Sequence, residues 1–121
     1  KRPVTSYADA AARWREQAAL TKRAVRLVSK ASSMVSGWLG EELAYQVKRL
    51  EIGAEAAALV ERLYHRRDGD NVPTATLRRS LGRLRRMMLA LPHDYHSKND
   101  GDSSLDMDYL TILEDFCNNG Q

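Results

Sequence analysis

Three groups of side chains carry enough chemistry to suggest a task. The first is arginine. The stretch "TLRRSLGRLRRMMLALP" (76–92) holds Arg78, Arg79, Arg83, Arg85 and Arg86 with no acid among them, and Arg66 and Arg67 lie just upstream. Guanidinium groups set along a helix can neutralise several phosphates, so these seven are the candidate nucleic-acid contacts. No aromatic residue interleaves them to stack a base, and neither zinc-finger spacing nor a glycine-rich phosphate loop is present. The second group is His93, His96 and Cys117, with Asp94. An H-x-x-H pair in a loop, without a second cysteine, does not supply the tetrahedral set a zinc site needs. The third is the acidic run "KNDGDSSLDMD" (98–108). The positions five and three before Gly101 are His96 and Lys98, where a calcium loop requires carboxylates. The expectation is a protein without a metal or other cofactor. No nucleophile sits beside a base in a recognisable pattern, so no catalysis is expected either.

Two short patterns resemble known families. Arg86 and His93 are similar to the R-x4-6-H pair of the HEPN ribonucleases, but Pro92 separates His93 from the helix that would carry Arg86. Trp38-Leu39-Gly40 followed by Tyr64-x3-Asp68 resembles the turn and tail signature of the WXG100 helical hairpins. Its spacing is shorter than that family's, and residues 69–121 have no counterpart there. Neither resemblance assigns a function.

The elements that position these groups follow from periodicity. Residues 7–36 read as a long amphipathic helix opened by a capping pair, Ser6 and Asp9. One apolar row runs Ala11, Trp14, Ala18, Val25, Val28, Val35, and a second runs Leu20, Ala24, Leu27, Ala31, Met34, Trp38. Both step by three and four residues and together form one broad stripe. "SGWLGEE" (36–42) suits a tight reversal, with Trp38 expected to close the end of the core. A second helix, about 41–67, is apolar on two sides. Leu43, Val47, Leu50, Ala54 and Ala57 form one row, and Tyr45, Ile52, Ala56, Leu59 and Leu63 the other. A helix of that kind needs partners on both sides: it is the centre of a bundle or half of an oligomer interface.

"RRDGDNVPT" (66–74) stops this helix at Gly69 and starts a third near Pro73. The third helix spans roughly 75–91. Leu77, Leu81, Leu84, Met88 and Leu91 make a narrow seam along it, with the arginines as its outer coat. After the polar loop 93–104, Ser103 and Asp106 form a second capping pair, and a last helix follows over about 104–117. No strand is expected. The class is all-α: an irregular four-helix bundle, built on a long antiparallel hairpin (7–67) with two shorter helices, in one domain over 1–121. A dimer of hairpins is the main alternative.

At 121 residues the chain is long enough to bury a core without disulfides, and its single cysteine leans toward a reducing, intracellular or organellar setting. No apolar run reaches the roughly 18 residues of a membrane span. The opening "KRPV" fits a processed form or a fragment. The net charge of +3 conceals an asymmetry. Residues 62–92 carry eight arginines against Asp68 and Asp70, whereas residues 93–121 carry Lys98 against seven acids. The acidic block can shield the arginine coat, or leave it free.

These features point to a non-catalytic assembly or adaptor subunit. It would dock a protein partner within a larger complex, or a second copy, through the surplus apolar row Tyr45, Ile52, Leu59 and Leu63. The alternative is a nucleic-acid-binding helical module using Arg66, Arg67, Arg78, Arg79, Arg83, Arg85 and Arg86.

Overall fold

The computed structural model describes residues 3–91 and 107–119. Four helices account for most of them: α1 (Tyr7–Ser33), α2 (Gly37–Arg67), α3 (Thr74–Leu89) and α4 (Met107–Asn119). No strand occurs among the described residues. The all-α class and the long antiparallel hairpin are as expected.

α1 begins where its cap is satisfied. The Asp9 N–H donates to Ser6 Oγ at 3.0 Å. The Asp9 carboxylate accepts from the Thr5 N–H at 3.2 Å and pairs with Arg13 at 3.4 Å, so this end of the helix is tied from both directions. The helix stops at Ser33, three residues earlier than its periodicity suggests. The reversal is made by Gly37, whose φ of 71° lies in the left-handed region open to glycine. Gly40 has a different role. A Cβ there would stand 2.9 Å from the Val35 carbonyl oxygen, so its lack of a side chain lets the linker lie against the first turn of α2. α2 therefore starts at Gly37, not at 41.

At the other end of α2, Gly69 with φ 98° turns the chain, and the Asp70 N–H returns to the His65 carbonyl at 3.0 Å. His65 itself lies between Glu61 Oε2 and Asp70 Oδ2, each at 3.1 Å, which ties the turn to the helix it ends. Pro73 caps α3, and its carbonyl accepts from the Thr76 and Leu77 N–H groups. The Ser103–Asp106 cap expected for α4 lies outside the described residues, as do His93, Asp94 and His96.

The helices run up, down, up and down. Thr21 lies near Gly53 and Ser32 bonds to Gly40, which sets α1 antiparallel to α2. Arg62 bonds to Ser80 and Glu55 pairs with Arg83, which sets α3 antiparallel to α2. Arg78 meets Asn118 and Arg85 meets Glu114, which sets α4 antiparallel to α3. By about 1.5 Å of rise per residue, α1 and α2 are roughly 40 Å and 46 Å long and α3 about 24 Å.

α2 is the central helix. The main core gathers Tyr45, Ile52 and Leu59 of α2, the α3 seam Leu77, Leu81, Leu84, Met88 and Leu91, and Leu110, Leu113 and Cys117 of α4. On its opposite side α2 packs on α1, where Ala10, Ala11 and Ala18 are buried. No described helix is long and apolar enough to cross a membrane.

Candidate functional site

The apolar row expected to meet a partner is interior. Tyr45, Ile52 and Leu59 are buried among the leucines of α3 and α4, and Leu63 is half-buried against the same cluster. The two-sided pattern of α2 was real, but both of its partners come from within the chain. α3 and α4 cover Tyr45, Ile52 and Leu59, while Leu63 also lines an open cleft beside α4.

Among the described residues, an apolar face without a neighbouring helix lies on α1 instead. Of its two rows, Ala11, Trp14, Ala18, Val25 and Val28 are buried or half-buried, while Leu20, Leu27 and Met34 are 55%, 67% and 74% exposed. The two rows therefore diverge rather than merging into one buried stripe. Trp38 departs from expectation as well. It is 73% exposed in the first turn of α2 and closes no core, because Gly37 reverses the chain one residue before it and carries it past the end of α1.

With 100° between successive helical residues, Leu20, Ala24, Leu27, Ala31 and Met34 fall within one narrow arc. Arg23, Arg26 and Lys30 follow it on the side away from α2. Alternating large and small residues give ridges and shallow holes, the relief into which the knobs of another helix insert. Trp38 and the 41%-exposed Leu39 add apolar surface at the hairpin tip.

The arginine coat divides into two flanks. One is engaged by α4. Arg66 donates to the carbonyls of Phe116 and Cys117, satisfying acceptors that the last turn of α4 leaves open. Arg78 Nε donates to Asn118 Oδ1 at 3.1 Å, and Arg85 pairs with Glu114 at 3.7 Å. The other flank, Arg79, Arg83 and Arg86, faces a groove between α2 and α3 of about 620 Å³ that also takes in Lys22, Arg62 and, at its edge, Arg78. Glu55 is the one carboxylate lining it among the described residues, 3.8 Å from Arg83. Arg67 is exposed beside a separate apolar cleft.

That cleft, about 420 Å³, lies between the start of α1, the end of α2 and α4. Tyr7, Trp14, Tyr64, Tyr109, Ile112 and Phe116 line it, with Arg66 and Arg67 beside them. The rings of Tyr7 and Tyr64 meet at 6.2 Å between centroids, tilted by 32°. Burial pushes the Tyr109 hydroxyl above its ordinary value. Burial also pushes the Cys117 thiol up; the Arg66 charge opposes the shift and Glu114 adds to it. With no exposure, this thiol is a core side chain rather than an available nucleophile.

Sequence reasoning found the arginines but not Lys22 and Arg62, the groove's other cations, which come from two other helices. Only a fold brings 22, 62 and 79–86 together. Comparison with protein families, with curated proteins and with solved structures finds no match to this chain.

Proposed function

We propose that this chain is a non-catalytic helical assembly subunit that docks one helix of a partner protein along the outer face of α1. The observation that carries the reading is the exposed seam of Leu20, Leu27 and Met34, set four and three residues from Ala24 and Ala31. Fully burying a leucine or methionine contributes roughly 1.5–3 kcal/mol, so a partner helix seated here would gain substantially from these three side chains alone. Single exposed leucines are ordinary; a periodic row of them is not.

Charge selects between occupants. In a second copy of the chain, Arg23, Arg26 and Lys30 would face groups of their own sign. A partner helix with leucine-type knobs and glutamates at its flanking positions faces opposite charge instead. The favoured partner is therefore an acidic amphipathic helix, and this chain supplies a rigid, pre-formed surface for it.

A fluorescently labelled four-heptad peptide, with leucine in its seam and glutamate on both flanks, serves as the probe. Anisotropy titration is expected to show micromolar binding that Leu27→Asp abolishes and that Arg23→Glu with Lys30→Glu weakens at least tenfold. Absence of peptide binding at 50 mM salt rejects the reading. So does sedimentation as a dimer that Leu27→Asp converts to monomer, because the occupant would then be a second copy.

A further inference from the structure

We propose that the groove between α2 and α3 is a nucleic-acid backbone site that contacts phosphates without reading sequence. It is independent of the docking face on α1 and uses different residues.

Positive charge from several helices is concentrated in one place. Lys22, Arg62, Arg78, Arg79, Arg83 and Arg86 come from three helices and line a single groove, with Glu55 as the only carboxylate among its described lining residues. Glu55 lies 3.8 Å from Arg83 and at most offsets one of these charges. The groove therefore carries an excess of positive charge that a polyanion would relieve.

The cations are also arranged in a line. Arg79, Arg83 and Arg86 are four and three residues apart, so they share one strip of α3 and are spread over roughly 10 Å of its axis. All three are exposed. Arg62 is held at the groove wall by its bond to Ser80, the buried polar side chain of α3. The floor is small, with Ala54, Ala58 and Gly82 leaving room for a bulky ligand beneath the guanidinium groups. A linear strip of cations matches a chain of phosphates better than a single compact anion.

No aromatic side chain is among the groove's described lining residues, which supply no platform for an unstacked base. Phosphate contacts fix position and contribute affinity without carrying sequence information. The ligand that fits is a duplex, whose bases stay stacked away from the protein. Arg66 and Arg85 are engaged by α4 and Arg67 lies beside the separate cleft, whereas Arg78 lines the edge of the groove while its Nε donates to Asn118. The phosphate-binding set is thus narrower than the seven arginines of the sequence, and it recruits Lys22 and Arg62.

The test is anisotropy of a labelled 20-base-pair DNA duplex across 50–200 mM salt. Each neutralised phosphate contributes about 0.9 to the slope of log affinity against log salt. The variant R79A/R83A/R86A should lose about 2–3 from that slope and bind at least tenfold more weakly at 50 mM salt, with an unchanged circular dichroism spectrum. R79K/R83K/R86K should restore most of the binding, because charge is what the site supplies. Arg85→Ala should change affinity less than twofold. The proposal is overturned if the wild-type chain does not bind the duplex at 50 mM salt. It is overturned equally if the triple alanine variant keeps the wild-type slope, or if inorganic tripolyphosphate binds more tightly than the duplex. The α1 variant Leu27→Asp, expected to bind DNA normally, separates failure here from failure of the docking surface.

Discussion

α1 and α3 carry the same apolar spacing and meet opposite fates. In α3, Leu77, Leu81, Leu84 and Met88 step by four, three and four and are between 0% and 6% exposed. In α1, Leu20, Ala24, Leu27, Ala31 and Met34 step by four, three, four and three, yet the large members of the row lie in solvent. The pattern defines a stripe in both cases. Whether the stripe is buried depends on how many neighbours the helix has. α3 lies between α2 and α4, and one seam is enough to serve both. α1 is the outermost helix of the hairpin, and its inner row already meets α2. Its second row has no described element left to cover it.

The sharpest way to break this contrast is to cut the seams in turn. Leu84→Ala leaves a cavity between α2, α3 and α4, and should cost about 2–5 kcal/mol in urea unfolding. A cost below 1 kcal/mol would mean that the α3 seam is not the centre of the core. At the hairpin tip, Gly40→Ala drives a methyl group toward the Val35 carbonyl and should cost about 1–2 kcal/mol. Gly37→Ala, strained by its positive φ and not by contact, should cost about 1 kcal/mol by the same measurement. Arg85→Ala removes a pair with Glu114 in which both side chains are partly solvated, and should cost no more than about 0.5 kcal/mol.

Leu27→Ala is the counterpart of Leu84→Ala, and its expected effect on stability lies within about 0.5 kcal/mol of zero. A loss near 2 kcal/mol would show that the α1 seam is covered in solution and would end the comparison. The smallest effect is on pH dependence. Cys117 and Tyr109 both have folded values raised above their ordinary 9.0 and 10.0. The unfolded chain therefore releases these protons first as pH rises. The associated stability is fully present below the unfolded values and declines from about pH 9 upward, through the folded ones. Thermal melts between pH 8 and 10 should show this decline, and Cys117→Ala should make it shallower.

Much of the architecture was legible in one dimension. Ser6 and Asp9 marked the start of α1, Gly69 and Pro73 the break before α3, and the leucine spacing the buried face of α3. These are local signals, fixed by backbone chemistry within a turn or two. The functional surfaces were not local. Tyr45, Ile52, Leu59 and Leu63 looked like a docking row because their covering helices lie about 20–60 residues downstream. Leu20, Leu27 and Met34 looked like core because period alone does not distinguish a face with a neighbour from one without. The arginines were visible as a group, but their division into an engaged flank and a groove flank depended on where α4 returns. Arg66 reads as a phosphate ligand in sequence and acts as a cap in the structure.

The closure made by Arg66 has a kinetic consequence. Its guanidinium reaches carbonyls 50 and 51 residues further along the chain, so the end of α4 is latched to the hairpin. α4 is also the shortest helix among the described residues, which makes it the first segment expected to detach in a sub-global opening. Cys117 sits behind that latch with no solvent access. The molecule thus contains its own reporter of the event: a thiol reagent in excess, added to the native protein, reacts only as often as α4 lifts. Substituting Arg66 should speed that reaction long before it changes the midpoint of global unfolding.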